Sequence, residues 1–199
     1  SVDEYLNSRH KLFLSPIKNI IKYIKNNQHF IIRSTVYPST TDFLFNYLKN
    51  KKKNIKLSFC PERFVQGSAI VEFNKFPQII GSVNKASQNE CYKFFKQITK
   101  EIVFLKPIEA ELAKLYLNAY RYIEFSIANQ FFTIADSIGV DYFKINNAMR
   151  FKYDRIKNLP SPGFTSGPCL FKDTMQLNSF SKNNFTLGVD AMVINEGLV

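Results

Sequence analysis

The chain has few of the residues that build metal centres or disulfide frameworks. Its three cysteines, Cys60, Cys91 and Cys169, are an odd count without Cys-x-x-Cys spacing, and its two histidines are His10 and His29. Neither a disulfide framework nor a zinc site is indicated. Long hydrophobic runs are also missing. The most apolar stretches, such as Ile123 to Phe132 with Glu124 and Gln130 inside, fall short of the roughly 20 apolar residues of a bilayer-spanning helix, so no membrane partner is expected. The opening residues carry acids and lack the basic-then-apolar order of a secretory signal; a cytoplasmic location is the expectation. Acidic residues are outnumbered, 16 Asp and Glu against 27 Lys and Arg, leaving a net charge of +11. That excess suits a phosphate-bearing ligand. The densest basic run, Lys49 to Lys56, lies between a helix pattern and a strand pattern and reads most simply as a solvated turn. No helix-turn-helix, zinc-finger or RNA-recognition pattern accompanies the charge, so no nucleic-acid partner is expected.

What is present is a globular α/β pattern. Ile17, Ile20, Ile21 and Ile24 keep helical spacing after Pro16, and His29 to Val36 reads as a buried strand. Pro38-Ser-Thr-Thr-Asp42 offers capping hydroxyls ahead of a second helix through Leu48. Ile55–Phe59, Gln78–Gly81 and Ile102–Leu105 read as strands, with a helix from Ala86 to Thr99 between the last two. Such alternation predicts a mostly parallel sheet with helices on its faces, a Rossmann-like arrangement. From Ile108, apolar residues keep a helical period for about 30 residues with no Gly or Pro, so one long helix ends near Gly139. A short helix over Asp141–Arg150, a turn-rich loop over Lys157–Pro168 and further helical patterns complete the chain. Residues 1–106 are expected to form part of an α/β domain, and residues 107–199 a connecting helix and an all-α domain.

The loop Pro160-Ser-Pro-Gly-Phe-Thr-Ser-Gly-Pro-Cys169 runs into a plausible helix start at Leu170. A thiol beside the free N–H groups of a first helical turn is favoured toward its reactive thiolate form. Lys172 and Asp173 follow one turn later, where they can face the sulfur or what it binds. The bland alternative is an inert buried cysteine.

Four segments carry a family resemblance: Arg33-Ser-Thr-Val-Tyr-Pro-Ser-Thr-Thr41, Cys60-Pro-Glu-Arg-Phe-Val-Gln-Gly67, Ala110-Glu-Leu-Ala-Lys-Leu-Tyr-Leu-Asn118 and Gly167-Pro-Cys-Leu-Phe-Lys-Asp-Thr174. In type and order they resemble the UDP-glucose and GDP-mannose dehydrogenase family. The resemblance implies NAD as cofactor, a UDP- or GDP-sugar as substrate and a homodimer formed through the central helical domain. It further implies oxidation of a sugar's primary alcohol to a carboxylate, with Cys169 as covalent nucleophile through a thiohemiacetal and a thioester. Lys114 and Asn118, four apart on the long helix, would stabilise the oxyanion and hold water. Asp173 and Glu62 would handle protons, Glu62 as general base in thioester hydrolysis. Thr35 would stand near the nicotinamide, and Lys172 would meet substrate or orient the loop. Simpler readings exist for each: a solvated stripe for Lys114 and Asn118, a cap for Glu62, a strand end for Thr35; Arg121, near Lys114 and Asn118 on the helix, reads either as a nucleotide-phosphate contact or as a structural ion pair.

Gln66, Phe171 and the Ser166-Gly-Pro168 segment depart from the family pattern and leave the sugar open. No Gly-x-Gly-x-x-Gly turn occurs in the 199 residues, so the pyrophosphate-binding strand, turn and helix of the family are not among them. The chain is expected to begin inside the cofactor domain, at Val2–Tyr5, and to stop before a second α/β domain. A rival reading is an interaction module that dimerises without catalysing.

Overall fold

A computed structural model describes residues 10–64, 67, 72, 75–165 and 168–198. Val2–Tyr5, Gln66, Ser166 and Gly167 lie outside them. The chain divides into two compact units, Ser1–Leu115 and Tyr116–Val199.

The first unit is built on a four-stranded sheet in the order β1 (His29–Ile32), β2 (Lys56–Phe59), β3 (Gln78–Ser82), β4 (Ile102–Leu105). β1 and β2 are parallel, as are β3 and β4, whereas β2 and β3 are antiparallel. The sheet is thus mostly parallel, with one reversal at its centre. Alternation of side chains splits its residues between two cores. Leu57, Phe59 and Ile79 pack with Leu44 and Leu48 of α2 (Thr40–Asn50). Ile80 and Ile31 pack with Cys91 and Phe95 of α3 (Lys85–Phe95). Each fully buried Leu or Phe stabilises the unit by about 2–3 kcal/mol. Asn84 caps α3, its side-chain oxygen accepting from the Ser87 N–H at 2.8 Å.

Helix α1 runs His10–Ile20 and continues as a 3-10 turn over Ile21–Tyr23. It therefore contains Pro16 instead of starting after it; the ring removes one N–H from the ladder without ending the helix. The β1 strand stops at Ile32, short of the expected Val36. The long helix α4 (Pro107–Ser137) is continuous, as the absence of interior Gly and Pro predicts, and its first turn crosses Gly81. A Cβ there would stand 2.8 Å from the Ala110 Cβ and 3.0 Å from the Pro107 Cα, so only glycine lets β3 and α4 approach this closely.

The second unit holds the rest of α4, with α5 (Tyr142–Arg150), α6 (Pro168–Phe180) and α7 (Thr186–Glu196). Gly139, at φ 70°, lets the chain leave α4. Asp141 caps α5 by accepting from the Phe143 and Lys144 N–H groups. Tyr122, Leu170 and Ala191 form a buried cluster joining α4, α6 and α7. Polar stitches reinforce it: the Tyr122 hydroxyl donates to Glu196 at 2.7 Å, and Asn195 donates to the Tyr122 carbonyl at 3.0 Å. Burial and the Glu196 carboxylate push the Tyr122 phenol up from its ordinary pKa. Asn129, wholly buried, donates to the Gly163 carbonyl and to Asn195 Oδ1 and accepts from the Gly163 N–H at 2.7 Å. The loop that leads into α6 is thereby pinned to α4. Among the described residues, no helix is long and apolar enough to cross a membrane.

Candidate active site

In the first unit, two of the candidate residues stand on one ledge of the sheet. Parallel β1 and β2 are paired in the register Ile32↔Phe59, and Thr35 and Glu62 each follow three residues beyond that last pair. Past the strands the Cys60 N–H donates to the Ile32 carbonyl at 2.8 Å and the Glu62 N–H to the Arg33 carbonyl at 3.4 Å, the second bond one residue out of the strand register. Carboxyl ends of parallel strands are where open α/β sheets receive ligands. Because β3 runs the other way, its first residue, Gln78, reaches the same ledge. Arg33 donates to Gln78 Oε1 at 3.1 Å, and Gln78 Nε2 donates to the carbonyls of Ile79 and Pro61. The Arg33 guanidinium also lies 5.4 Å from the Phe95 ring centre. Glu62 itself is exposed and Thr35 half-buried.

The turn after Thr35 is held in a way the hydroxyl-rich sequence does not predict. Ser39 occupies the cap position of α2 at φ 72°, and its side chain caps nothing. Glu111 of α4 does the capping from outside. Its Oε2 accepts from the Ser39 N–H at 2.6 Å, and its Oε1 accepts from the Thr41 N–H at 2.8 Å and the Thr41 hydroxyl at 2.6 Å. A carboxylate at a helix N-terminus is favoured by both the free N–H groups and the dipole. Burial raises the Glu111 pKa nonetheless, against these three donors. Glu111 lies inside the Ala110–Asn118 segment, but its capping role has no local signal, because its partners Ser39 and Thr41 are 72 and 70 residues away.

In the second unit, Cys169 is exposed in the first turn of α6, where the Gly-Pro sequence places it. Asp173, one turn on, is buried, and the buried Asn118 amide donates to its Oδ2 at 2.5 Å. Lys172, its neighbour, is exposed, so the two lie on different sides of α6. The structure therefore brings Asn118 to Asp173 and leaves Cys169 open one turn away. Lys114 is half-buried one turn before Asn118 along α4, the spacing that stacks both on one helix face. Arg121 is exposed. No cluster of His, Cys, Asp and Glu that could hold a metal occurs among the described residues.

The same two-part organisation is matched by known families. Residues 5–99 match the NAD-binding domain of the UDP-glucose/GDP-mannose dehydrogenase family, and residues 108–196 match that family's central domain. The chain belongs to this family. Among relatives, the UDP-N-acetyl-D-mannosamine dehydrogenase of Methanocaldococcus jannaschii is 34% identical over 171 residues, which cover 84% of this chain and 39% of the relative. The UDP-glucose 6-dehydrogenase of Rickettsia bellii is 29% identical, covering 85% of this chain and 40% of that protein. The solved structure of the UDP-D-ManNAc dehydrogenase from Pyrococcus horikoshii superposes with a TM-score of 0.82 at 28% identity, covering 92% of this chain and 46% of that one. The chain thus spans less than half the length of these relatives. Nucleotide-sugar dehydrogenase membership, the mixed α/β fold and NAD as the family's cofactor agree with the sequence reading.

Proposed function

We propose that this chain supplies the covalent and proton-handling residues of an NAD-dependent dehydrogenase that oxidises the primary alcohol of a UDP- or GDP-sugar to the carboxylate. The observation that carries the reading is the Asn118–Asp173 pair, buried one helical turn from an exposed thiol. In this mechanism Cys169 attacks the aldehyde carbon, forming a thiohemiacetal and later a thioester, so the reactive aldehyde stays attached. Asn118 has two N–H donors and can serve Asp173 and a developing oxyanion together. Lys114, one turn earlier on the same helix, adds positive charge for that oxyanion. Asp173, fixed by Asn118, takes protons from a bound water, and Glu62 is the base for thioester hydrolysis.

NAD, when bound, accepts the hydrides. The ledge carrying Thr35 fits the reactive end of that cofactor, and Lys172 fits a substrate phosphate. The glycine turn for the pyrophosphate is not among these 199 residues, so no pyrophosphate contact is assigned to them. The proposed setting is cytoplasmic, where an exposed thiol such as Cys169 stays reduced.

In an intact enzyme containing this segment, Cys169→Ser is expected to abolish acid formation while leaving nucleotide-sugar binding in place. Unchanged turnover overturns the mechanism. The 199-residue chain incubated with NAD and a panel of UDP- and GDP-sugars is expected to form no NADH; turnover like that of an intact enzyme refutes the division of labour.

A second reading, an interaction module, draws on the second unit's exposed apolar surface. Tyr116, Tyr120, Phe131 and Ile134 of α4 and Ile138 just past its end are all exposed, and an apolar pocket of about 280 Å³ opens between α4 and α5. A row of this kind suits a homodimer. Light scattering tests it: a clean monomer at micromolar concentration removes dimerisation through this face.

A further inference from the structure

Cys60 and Cys91 are the two cysteines the proposed chemistry does not use. They come from the residue just past β2 and the middle of α3, both wholly buried, with their sulfurs 3.2 Å apart. That is closer than two inert apolar side chains pack, where heavy atoms approach to about 4 Å. The surroundings differ from an ordinary apolar niche in one further respect. Ser58 hydrogen-bonds Cys91, and its hydroxyl also meets His29 Nε2 at 3.0 Å and the Ser82 hydroxyl at 2.7 Å. A chain of hydrogen bonds therefore leads from the thiol pair to a half-buried imidazole.

We propose that Cys60 and Cys91 are an oxidisable thiol pair that closes to an intramolecular disulfide with hydrogen peroxide, a modification site separate from Cys169. The Cys91 sulfur attacks one peroxide oxygen, the O–O bond breaks, and the products are a Cys91 sulfenic acid and one water. The Cys60 sulfur then attacks the Cys91 sulfur, the S–O bond breaks, and the hydroxyl leaves as a second water with the Cys60 proton. Two thiols lose two electrons and two hydrogens, and one peroxide is reduced to two waters.

The assignment of roles follows from the local electrostatics. The Cys60 thiol, donating to Cys91 and desolvated, titrates well above the ordinary range, while Cys91, supported by Cys60, Ser58 and the Arg33 charge, titrates below it. Of the two sulfurs, Cys91 is the one whose thiolate form is favoured, and it reacts first. His29, at the far end of this hydrogen-bond chain, has its own pKa lowered by burial and by Lys56. Closing the bond brings the sulfurs from 3.2 Å to about 2.05 Å, a shift of about 1.2 Å shared between the β2 end and α3. A small uncharged oxidant suits a site this buried, where a tripeptide disulfide has no room.

The test is peptide mapping of the native 199-residue chain after brief peroxide treatment, with alkylation under denaturing conditions, run beside Cys169→Ala. The expected result is a linked Cys60–Cys91 peptide pair, dissolved by dithiothreitol and formed equally with and without Cys169. Any of three results overturns the proposal: recovery of both residues as alkylated thiols, linkage of either to Cys169, or a pair that forms only after the chain is unfolded in urea. The parent chain alone distinguishes the three possible pairings, so the test stands even if the variant does not fold.

Discussion

Removing the Glu111 carboxylate should unlatch the turn after Thr35. Glu111→Ala leaves the Ser39 N–H, the Thr41 N–H and the Thr41 hydroxyl without their acceptor. The hydroxyl can turn to another partner, whereas the two amides are fixed by the backbone. A buried donor without an acceptor costs about 1–3 kcal/mol. Relief of the desolvated charge offsets part of the loss, and the net is about 3 kcal/mol. At about 1.4 kcal/mol per decade, that is roughly a hundredfold. Amide hydrogen exchange of residues 39–44, followed by mass spectrometry, reads this directly, because local opening sets the rate. Glu111→Gln keeps the shape but turns an NH2 toward donors, and should fall between the parent and Ala. The pH dependence has a defined sign. Because burial raises the Glu111 pKa, the folded chain keeps a proton that the unfolded chain releases between the ordinary and the raised values. Stability contributed by this group is therefore present below that window and falls as pH rises through it. Glu111→Gln should abolish the slope. Exchange at residues 39–44 that is the same in Ala and parent refutes the latch.

Two other predictions concern groups on either side of the division between the units. His29, its pKa lowered from 6.5 by burial and Lys56, should titrate below that value by NMR; the unfolded chain then takes up the proton first, so stability is full above 6.5 and declines as pH falls below it, and a midpoint at or above 6.5 refutes the assignment. Asn129→Ala removes both bonds to Gly163 and the one to Asn195, which should cost about 3 kcal/mol and speed exchange at Gly163; unchanged protection there would mean that the loop ahead of Cys169 is held by something else.

How much of this is legible in the sequence depends on the distance over which each interaction acts. The long helix and the helix start at Cys169 follow from local signals: no Gly or Pro through the one, Gly-Pro ahead of the other. The strands are legible as apolar runs, and alternation predicts a layered sheet. Direction is not carried by such runs, so the reversal of β3 against β2 is invisible until pairing is known. The cap of α2 fails differently. A Ser-Thr-Thr sequence promises a self-supplied cap, but Ser39 adopts a left-handed backbone and the acceptor comes from Glu111, 70 residues from Thr41. Likewise, Asp173 is legible as a neighbour of Cys169, while its pairing with Asn118 requires α4 and α6 to be packed first.

The shared register of β1 and β2 also has a consequence for how this family can vary. Thr35 and Glu62 each follow the last paired residue by three positions, and the Glu62 N–H is held by the Arg33 carbonyl. One residue inserted after Ile32 or after Phe59 would advance one side chain by about 3.3 Å and leave the other behind. Sequence drift by substitution is compatible with the ledge, and drift by insertion on one side alone is not. Length changes in these two turns should therefore occur together or not at all, whereas the turn through Lys51 and Lys52, at the other end of β2, is under no such constraint.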